Sequence, residues 1–306
     1  MTNIAGMVDL TAATADRVML PQLAARAITL EVLRLDKLHA VVSGNKWFKL
    51  KYHLQEAQNN QYNSILTFGG AYSNHIVATA FAAQQAGLQS QGIIRGEAPN
   101  DLSHTLKMAE NYGMKLTFVD RDTYQKMTSQ VTASQYTGTF AGHYIISEGG
   151  AGPAGEKGCR EILGLVDKVA YTHICCAIGT ATMYLGLINS SLPQQPVIGI
   201  PVLKGMNNLH EQLAPRIHPE KWSYSKFFYD YHFGGYAKKN NELFAFMNAF
   251  YDQSGIPTDF VYTGKLLYAV VDLVEKNYFP GGSRLLVVHS GGLQGNMSLP
   301  LQTLHF

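Results

Sequence analysis

A chain of 306 residues, 46% hydrophobic and only 15% charged, is longer than a single core usually runs and has the interior of a globular protein, which excludes disordered and fibrous classes. Its 24 Lys+Arg against 22 Asp+Glu leave a formal charge of +2, with the basic residues scattered; this argues against nucleic-acid and anionic-membrane partners and points to small-molecule ligands. Residues 1–21 have no basic stretch followed by an apolar run, and no later segment is apolar for long enough to span a bilayer, so a cytoplasmic protein is expected.

Taken in order, residues 28–35 alternate apolar and polar positions and residues 38–42 continue the signal, which predicts two strands leading into a helix. That helix is predicted to start at Lys46, with Asn45 as its N-cap and Trp47, Leu50 and Leu54 forming a buried stripe at i, i+3 and i+7. Lys46 falls in the first turn, where the dipole and free N–H groups disfavour a cation, so its amine is expected to lose a proton more easily than an ordinary lysine and suits Schiff-base chemistry. Taken alone, as one of 24 Lys+Arg, it reads better as a solvated loop lysine until other parts of a site are found.

Next comes a short apolar strand at 64–68 ending in Gly69-Gly70, with Ser73-Asn74 capping a helix that runs to Gly87 and carries many small residues. Similar units follow: a strand at 92–95, a helix at 101–112, a strand at 115–119, a helix at 123–135 and a strand at 144–146 closing into Glu148-Gly149-Gly150. A helix at 154–164 precedes the strand 173–178, which contains Cys175 and Cys176. With Cys159 these make three cysteines, an odd number, read as small core residues. The strand runs into Gly179-Thr180-Ala181-Thr182 and a helix at 183–189, then a strand at 197–200. Residues 204–235 have no sustained period. Helices are predicted at 241–254 and 264–276, and a last core strand at 284–289 stops at Ser290-Gly291-Gly292. Alternation of this kind predicts an α/β fold, with parallel sheets covered by helices on both faces.

Three glycine-bearing turns therefore follow strands, and helix N-termini after such turns hold anions on their backbone N–H groups. Gly179–Thr182 is the candidate phosphate cradle and Ser73-Asn74-His75 the candidate site for a substrate carboxylate. Each turn also has a purely conformational reading, because strand-to-helix turns in any α/β protein use Gly, Ser and Thr. A dinucleotide fold would need Gly-x-Gly-x-x-Gly after the first strand, which is missing, and the histidines show no metal-binding spacing, so no metal is expected.

Together with Lys46 these pieces resemble the pyridoxal-phosphate enzymes of the tryptophan-synthase-β-like fold (fold type II), in the branch of D-cysteine desulfhydrase and 1-aminocyclopropane-1-carboxylate (ACC) deaminase. The resemblance is carried, in order, by Gly44-Asn45-Lys46-Trp47-Phe48-Lys49-Leu50, Ser73-Asn74-His75, Glu148-Gly149-Gly150, residues 179–186, Val261-Tyr262-Thr263-Gly264-Lys265 and His289-Ser290-Gly291-Gly292-Leu293. It implies pyridoxal 5'-phosphate as cofactor and a homodimer. By the same resemblance Lys46 joins the cofactor's aldehyde, Asn74 faces its phenolic oxygen, and Gly179, Thr180, Ala181 and Thr182 hold its phosphate. Ser290 would face the pyridine nitrogen. Ser73 looks like the substrate-side hydroxyl and proton relay, with Asn74 and His75 beside the substrate, and Tyr262 and Tyr236 look like the two active-site tyrosines. Other readings stay open: Asn74 and Thr182 as caps alone, the tyrosines as packing residues, His75 contributing only its backbone N–H, His289 as a core histidine and Glu148 as a turn residue.

Departures from the pattern bear on the substrate. ACC deaminases carry a glutamate in the Tyr-Glu-Gly-Lys motif and a leucine before the late glycine pair, whereas this chain has Thr263 and Ser290, which look like the desulfhydrase side. A carboxylate beside the pyridine nitrogen favours its protonated form and a strong electron sink; a hydroxyl need only donate a hydrogen bond to the neutral ring. The weaker sink suffices when an α-proton and a thiolate leave. Trp47-Phe48, where relatives often have a basic residue, and Met183, where a threonine is common, also depart. The expectation is thus a lyase catalysing α,β-elimination on a small amino acid, D-cysteine foremost. The alternatives are an ACC deaminase, or a non-catalytic amino-acid-binding or cofactor-binding protein on the same fold. A larger domain from residues 1–53 and 162–306 is expected, with a smaller inserted one from 54–161.

Overall fold

The computed structural model describes residues 4–132 and 140–306. In chain order the elements are β1 (Ala15–Val18), α1 (Pro21–Ala25), β2 (Thr29–Arg34), α2 (Asn45–Asn59), β3 (Ser64–Gly69), α3 (Asn74–Gln85), β4 (Gln89–Arg95), α4 (His104–Asn111), β5 (Met114–Val119), α5 (Arg121–Thr132) and β6 (Tyr144–Ile146). They continue with α6 (Pro153–Cys159), β7 (His173–Ile178), α7 (Thr182–Ser190), β8 (Val197–Pro201), α8 (Leu209–Leu213), β9 (Ser225–Phe227), α9 (Asn241–Ser254), α10 (Thr263–Glu275) and β10 (Arg284–His289).

The chain divides into two compact units. One takes the described residues of Met1–Asp9 and His39–Gly158, the other Leu10–Leu38 and Cys159–Phe306. The first boundary thus lies before the lysine helix rather than after residue 53, because α2 packs on α3 and on the turn at Glu148–Gly150.

The first unit is built on a four-stranded sheet in the order β5-β4-β3-β6, parallel throughout. All six residues of β3 are buried, as expected of a parallel strand covered on both faces. Successive side chains feed opposite cores: Ile94 joins Ile76, Ala80 and Leu106 under α3 and α4, whereas Leu66, Phe68 and Ile93 pack with Tyr124 of α5 and with Phe140. Part of the helix predicted at 123–135 lies outside the described residues.

The second unit has a six-stranded sheet in the order β1-β2-β10-β7-β8-β9, parallel except where β1 runs against β2. Its core joins inward residues such as Leu30, Cys175, Ile198 and Val287 to α1, α9 and α10. On the other face, a Cβ at Gly199 would fall 2.9 Å from the Tyr184 ring of α7, so the glycine is what lets that aromatic approach β8 so closely. All three cysteines are buried, and none forms a disulfide among the described residues.

Local corrections have local causes. No strand forms at 38–42: the His39 Nδ1 accepts the N–H groups of Val41 and Val42 at 3.0 and 3.1 Å, so those donors serve a turn instead of a sheet. The helix at 154–164 stops at Cys159 and gives way to a 3-10 turn, Ile162–Leu165, in a stretch where Gly155, Gly158 and Gly164 weaken helix propensity. Residues 204–235, irregular in sequence, hold α8, short 3-10 turns and the edge strand β9. The short elements β1 and α1 had no periodic signal.

Candidate functional site

In the first unit the candidate residues lie on the first turns of two packed helices. Helix α2 begins at Asn45, one residue earlier than expected, and its N-cap is Gly44, at φ 66° and ψ −139°. Only glycine takes that conformation without cost. Asn45 therefore does not cap; its Oδ1 instead accepts a hydrogen bond from the Lys46 Nζ at 2.9 Å. Lys46 is half-buried, and Trp47, Phe48 and Leu50 beside it are buried.

Helix α3 follows the carboxyl end of β3. Ser73 is its N-cap, its Oγ accepting from the Ile76 N–H at 3.4 Å, which leaves the hydroxyl hydrogen for another partner. Gly69 makes room for that hydroxyl, since a Cβ there would lie 2.9 Å from it. Asn74 opens the helix with a buried amide oxygen that has no hydrogen-bond partner.

His75 is buried, and its ring is set by its neighbours. The Thr67 hydroxyl donates to the Ile146 carbonyl at 2.9 Å and so must accept from the His75 Nε2–H at 2.8 Å. This fixes the neutral tautomer with the lone pair on Nδ1, which has no partner. Burial, reinforced by the charges of Lys46, Lys49 and His53, holds its pKa well below 6.5. His53 is likewise lowered by burial, to about 4, against the opposing charge of Glu56. Gly150, after β6, lies against the stem of Lys49: a Cβ there would come 2.9 Å from the Lys49 Cβ and 3.5 Å from the His75 Cε1.

In the second unit the turn after β7 is the phosphate-cradle candidate. Ala181 is its N-cap residue in the left-handed conformation, φ 59°, and no side chain caps the first turn of the nine-residue α7. The hydroxyls of Thr180 and Thr182 lie 3.0 Å apart. Tyr262 stands over this turn, with its ring 3.2 Å from where a Gly179 Cβ would be. The Tyr236 ring meets Tyr262 edge-on at 6.4 Å. Gly179 and both tyrosines are thus neighbours. Ser290 lies at the carboxyl end of β10, the strand beside β7 in parallel register, so the 290–292 and 179–182 turns leave the same edge of the sheet.

Three arrangements left no periodic signal, although His289 and Lys265 belong to motifs that carry the resemblance. The Asp259 carboxylate takes the N–H groups of Val261, Tyr262 and Thr263 at 2.7–2.9 Å and the Thr263 hydroxyl at 2.6 Å, building the turn that presents Tyr262. An aspartate just ahead of a helix was its only sequence trace. Under Ser290, His289 bonds the Pro257 carbonyl through Nε2 at 2.8 Å and faces Asp36 at 3.3 Å, and Asp36 pairs with buried Arg34 at 2.6 Å. Burial alone would raise the Asp36 pKa; the Arg34 hydrogen bond and the neighbouring charges of His289 and Arg34 bring it below the ordinary carboxylate value. The third is buried Lys265, whose amine reaches two carbonyls of a distant loop.

These residues suit a phosphorylated, polar aromatic cofactor. A helix N-terminus with a left-handed residue and paired hydroxyls offers backbone N–H groups to a phosphate. The unmet buried amide of Asn74, whose oxygen and nitrogen are interchangeable by a flip, calls for a polar ligand group. The sequence profile described as "Pyridoxal-phosphate dependent enzyme" matches residues 17–291. The chain belongs to this family. Pyridoxal phosphate is its cofactor, and the fold is the expected two-unit α/β arrangement of fold type II.

Among curated relatives of this pyridoxal-phosphate enzyme, the chain is 28% identical over 280 residues to "Putative 1-aminocyclopropane-1-carboxylate deaminase" of Pyrococcus abyssi, covering 86% of this chain and 84% of that one. It is 24% identical over 281 residues to D-cysteine desulfhydrase of Klebsiella pneumoniae, covering 85% and 86%. Among solved structures an ACC deaminase homologue aligns with a TM-score of 0.77 at 24% identity, over 96% of this chain and 94% of the other. Among the described residues, no helix is long and apolar enough to cross a membrane, and no group of three His, Cys, Asp or Glu could hold a metal ion.

Proposed function

We propose that this chain, a pyridoxal-phosphate-dependent lyase of the ACC deaminase and D-cysteine desulfhydrase type, catalyses α,β-elimination on a small amino acid. D-cysteine is the foremost substrate, giving sulfide, ammonia and pyruvate. The observation that carries the choice is the hydroxyl chemistry of the second unit: Ser290 directly follows β10, and the Thr263 hydroxyl is spent on Asp259, so neither motif position brings a carboxylate. That favours loss of an α-proton and a good leaving group over opening of a ring that has no α-hydrogen.

In this reading Lys46 takes the proton from Cα, and Asn45, bonded to its amine, orients it. Ser73 keeps its hydroxyl hydrogen available while capping α3, which suits a relay or a substrate contact. The N–H groups of Asn74 and His75 hold the substrate carboxylate. The side-chain amide of Asn74, with its unmet oxygen, turns to the cofactor. Tyr262, with Tyr236 against it, orients the substrate or protonates the departing sulfur. Gly179, Thr180, Ala181 and Thr182 grip the phosphate, and Ser290 donates to the ring nitrogen. When bound, pyridoxal phosphate supplies the sink for the electron pair left on Cα, and water completes the conversion to pyruvate and ammonia.

The purified holoenzyme is to be offered D-cysteine, L-cysteine and ACC. Pyruvate with sulfide from D-cysteine is the expected result, and 2-oxobutyrate from ACC would give the specificity to the deaminase, the name borne by the Pyrococcus relative. A yellow protein inert to the whole panel would instead be a cofactor-holding or amino-acid-binding protein. A cytoplasmic homodimer belongs to the same proposal, and sedimentation of the holoenzyme at twice the chain mass tests its assembly.

A further inference from the structure

Lys265 is an expensive residue to place where it is. It is fully buried, 0% exposed, and lies on the first turn of α10, where the dipole disfavours a cation. Burial lowers its pKa to about 8, with the Asp259 charge as the opposing influence. A hydrophobic side chain of equal length would fill the same volume without either penalty. What the amine does there is donate to two carbonyls of one loop, His232 at 2.8 Å and Gly235 at 2.7 Å.

That loop is a tight, glycine-dependent turn. Gly234 and Gly235 have φ of 91° and 120°, and a Cβ on Gly235 would meet the Lys204 Cβ at 3.1 Å. The His232 carbonyl also accepts from the Gly235 N–H and the Gly235 carbonyl from the Lys238 N–H. The Gly234 N–H bonds the His232 ring at 2.9 Å. Both carbonyls therefore turn inward onto one ammonium, and the next residue in the chain is Tyr236, whose ring meets Tyr262. Tyr262 in turn is set by Asp259 at the head of the helix that carries Lys265.

We propose that Lys265 is a positioning residue for Tyr236: by holding the His232 and Gly235 carbonyls, it fastens the glycine turn to α10 and so fixes the Tyr236–Tyr262 ring pair in register. It acts through the loop and touches neither substrate nor cofactor. The inference rests on the reading of Tyr236 as an active-site residue, and its test separates the two.

Amide hydrogen exchange of the full-length holoenzyme is compared with that of Lys265→Met, which keeps the length of the side chain and removes its donors. Gly234, Gly235 and Lys238 are expected to exchange about tenfold faster or more, with the amides of β7 unchanged. On D-cysteine, Lys265→Met is expected to lower kcat/KM by about the same factor as Tyr236→Phe, with cofactor absorbance retained and the double variant no worse than the lower single one. Unchanged exchange in the loop overturns the fastening, and losses that multiply in the double variant overturn the route through Tyr236. If the wild type turns over no amino acid of the panel, the functional reading fails while the exchange measurement still decides for or against Lys265. Should Lys265→Met not fold, Lys265→Gln keeps two N–H donors on a shorter stem; an intermediate loss of protection at the same three amides supports the proposal and full protection overturns it.

Discussion

Asp259 shows how much one buried side chain determines in this protein. It accepts four hydrogen bonds within five residues of itself, three of them from backbone N–H groups that a helix start would otherwise leave unsatisfied. Bonds to a charged acceptor are worth about 1.5–3 kcal/mol each, and the loss is only partly recovered by water at a buried position. Asp259→Ala is therefore expected to lower stability by about 3 kcal/mol or more, read from the urea midpoint, and to release Tyr262 even in molecules that still fold. At Lys46 the expectation is of another kind. Lys46→Ala should abolish the cofactor's lysine-linked absorbance and turnover together while leaving the urea midpoint within about 1 kcal/mol, the usual range for a side chain outside the core. A variant that kept both signals would remove Lys46 from the site.

Helices α2 and α6 are brought together by a missing side chain. At Gly158 an added Cβ would lie 1.7 Å from the Phe48 carbonyl oxygen, inside any contact distance, and the obstacle is backbone, which cannot rotate away. Gly158→Ala should therefore force α6 off the lysine helix, at a cost of about 3 kcal/mol or more, and a thermal melt unchanged from wild type would refute that packing. The same reasoning explains what a sequence reveals at this scale. β7 and α9 coincide with their predicted limits because their periods are set by burial along a single element. The strand expected at 38–42 depended on where its N–H groups would go, and the His39 ring that takes them leaves no periodic trace. Among the candidate residues, the glycine turns and tyrosine motifs were legible, and Gly179, Tyr236 and Tyr262 do lie side by side. The grip of Lys265 on residues some thirty positions earlier was not, since no local pattern records a contact so distant in the chain.

Over the whole molecule, acid is the condition that buried histidines make costly. His53 and His75 are neutral in the folded protein with pKa values depressed by burial, whereas in the unfolded chain they protonate near 6.5. Above pH 6.5 neither state binds the extra proton, so stability is unaffected there. As pH falls below 6.5 the unfolded chain takes protons that the folded one refuses, and stability is lost until the folded pKa is reached, near 4 for His53. For His53 alone the loss between pH 7 and 4.5 is about 2 kcal/mol. Urea midpoints at the two pH values should show it, and His53→Gln should reduce the difference; equal midpoints would mean that these rings are solvated. Carboxylates such as Asp36, whose pKa is lowered, add their share only at still lower pH. The division of the chain into units follows from tertiary packing of α2, which is why the boundary at 38/39 was not visible in composition.

The lock between Thr263 and Asp259 also limits what position 263 can accept. A Thr263→Glu change made first would put a second carboxylate into a fully enclosed turn already holding one, and would discard the hydroxyl that both donates to Asp259 and accepts from its N–H at 2.7 Å. Made alone, the change is expected to cost the fold stability before it brings any new chemistry. The two positions are therefore coupled, and a glutamate at 263 calls for a compensating change at 259 in the same molecule.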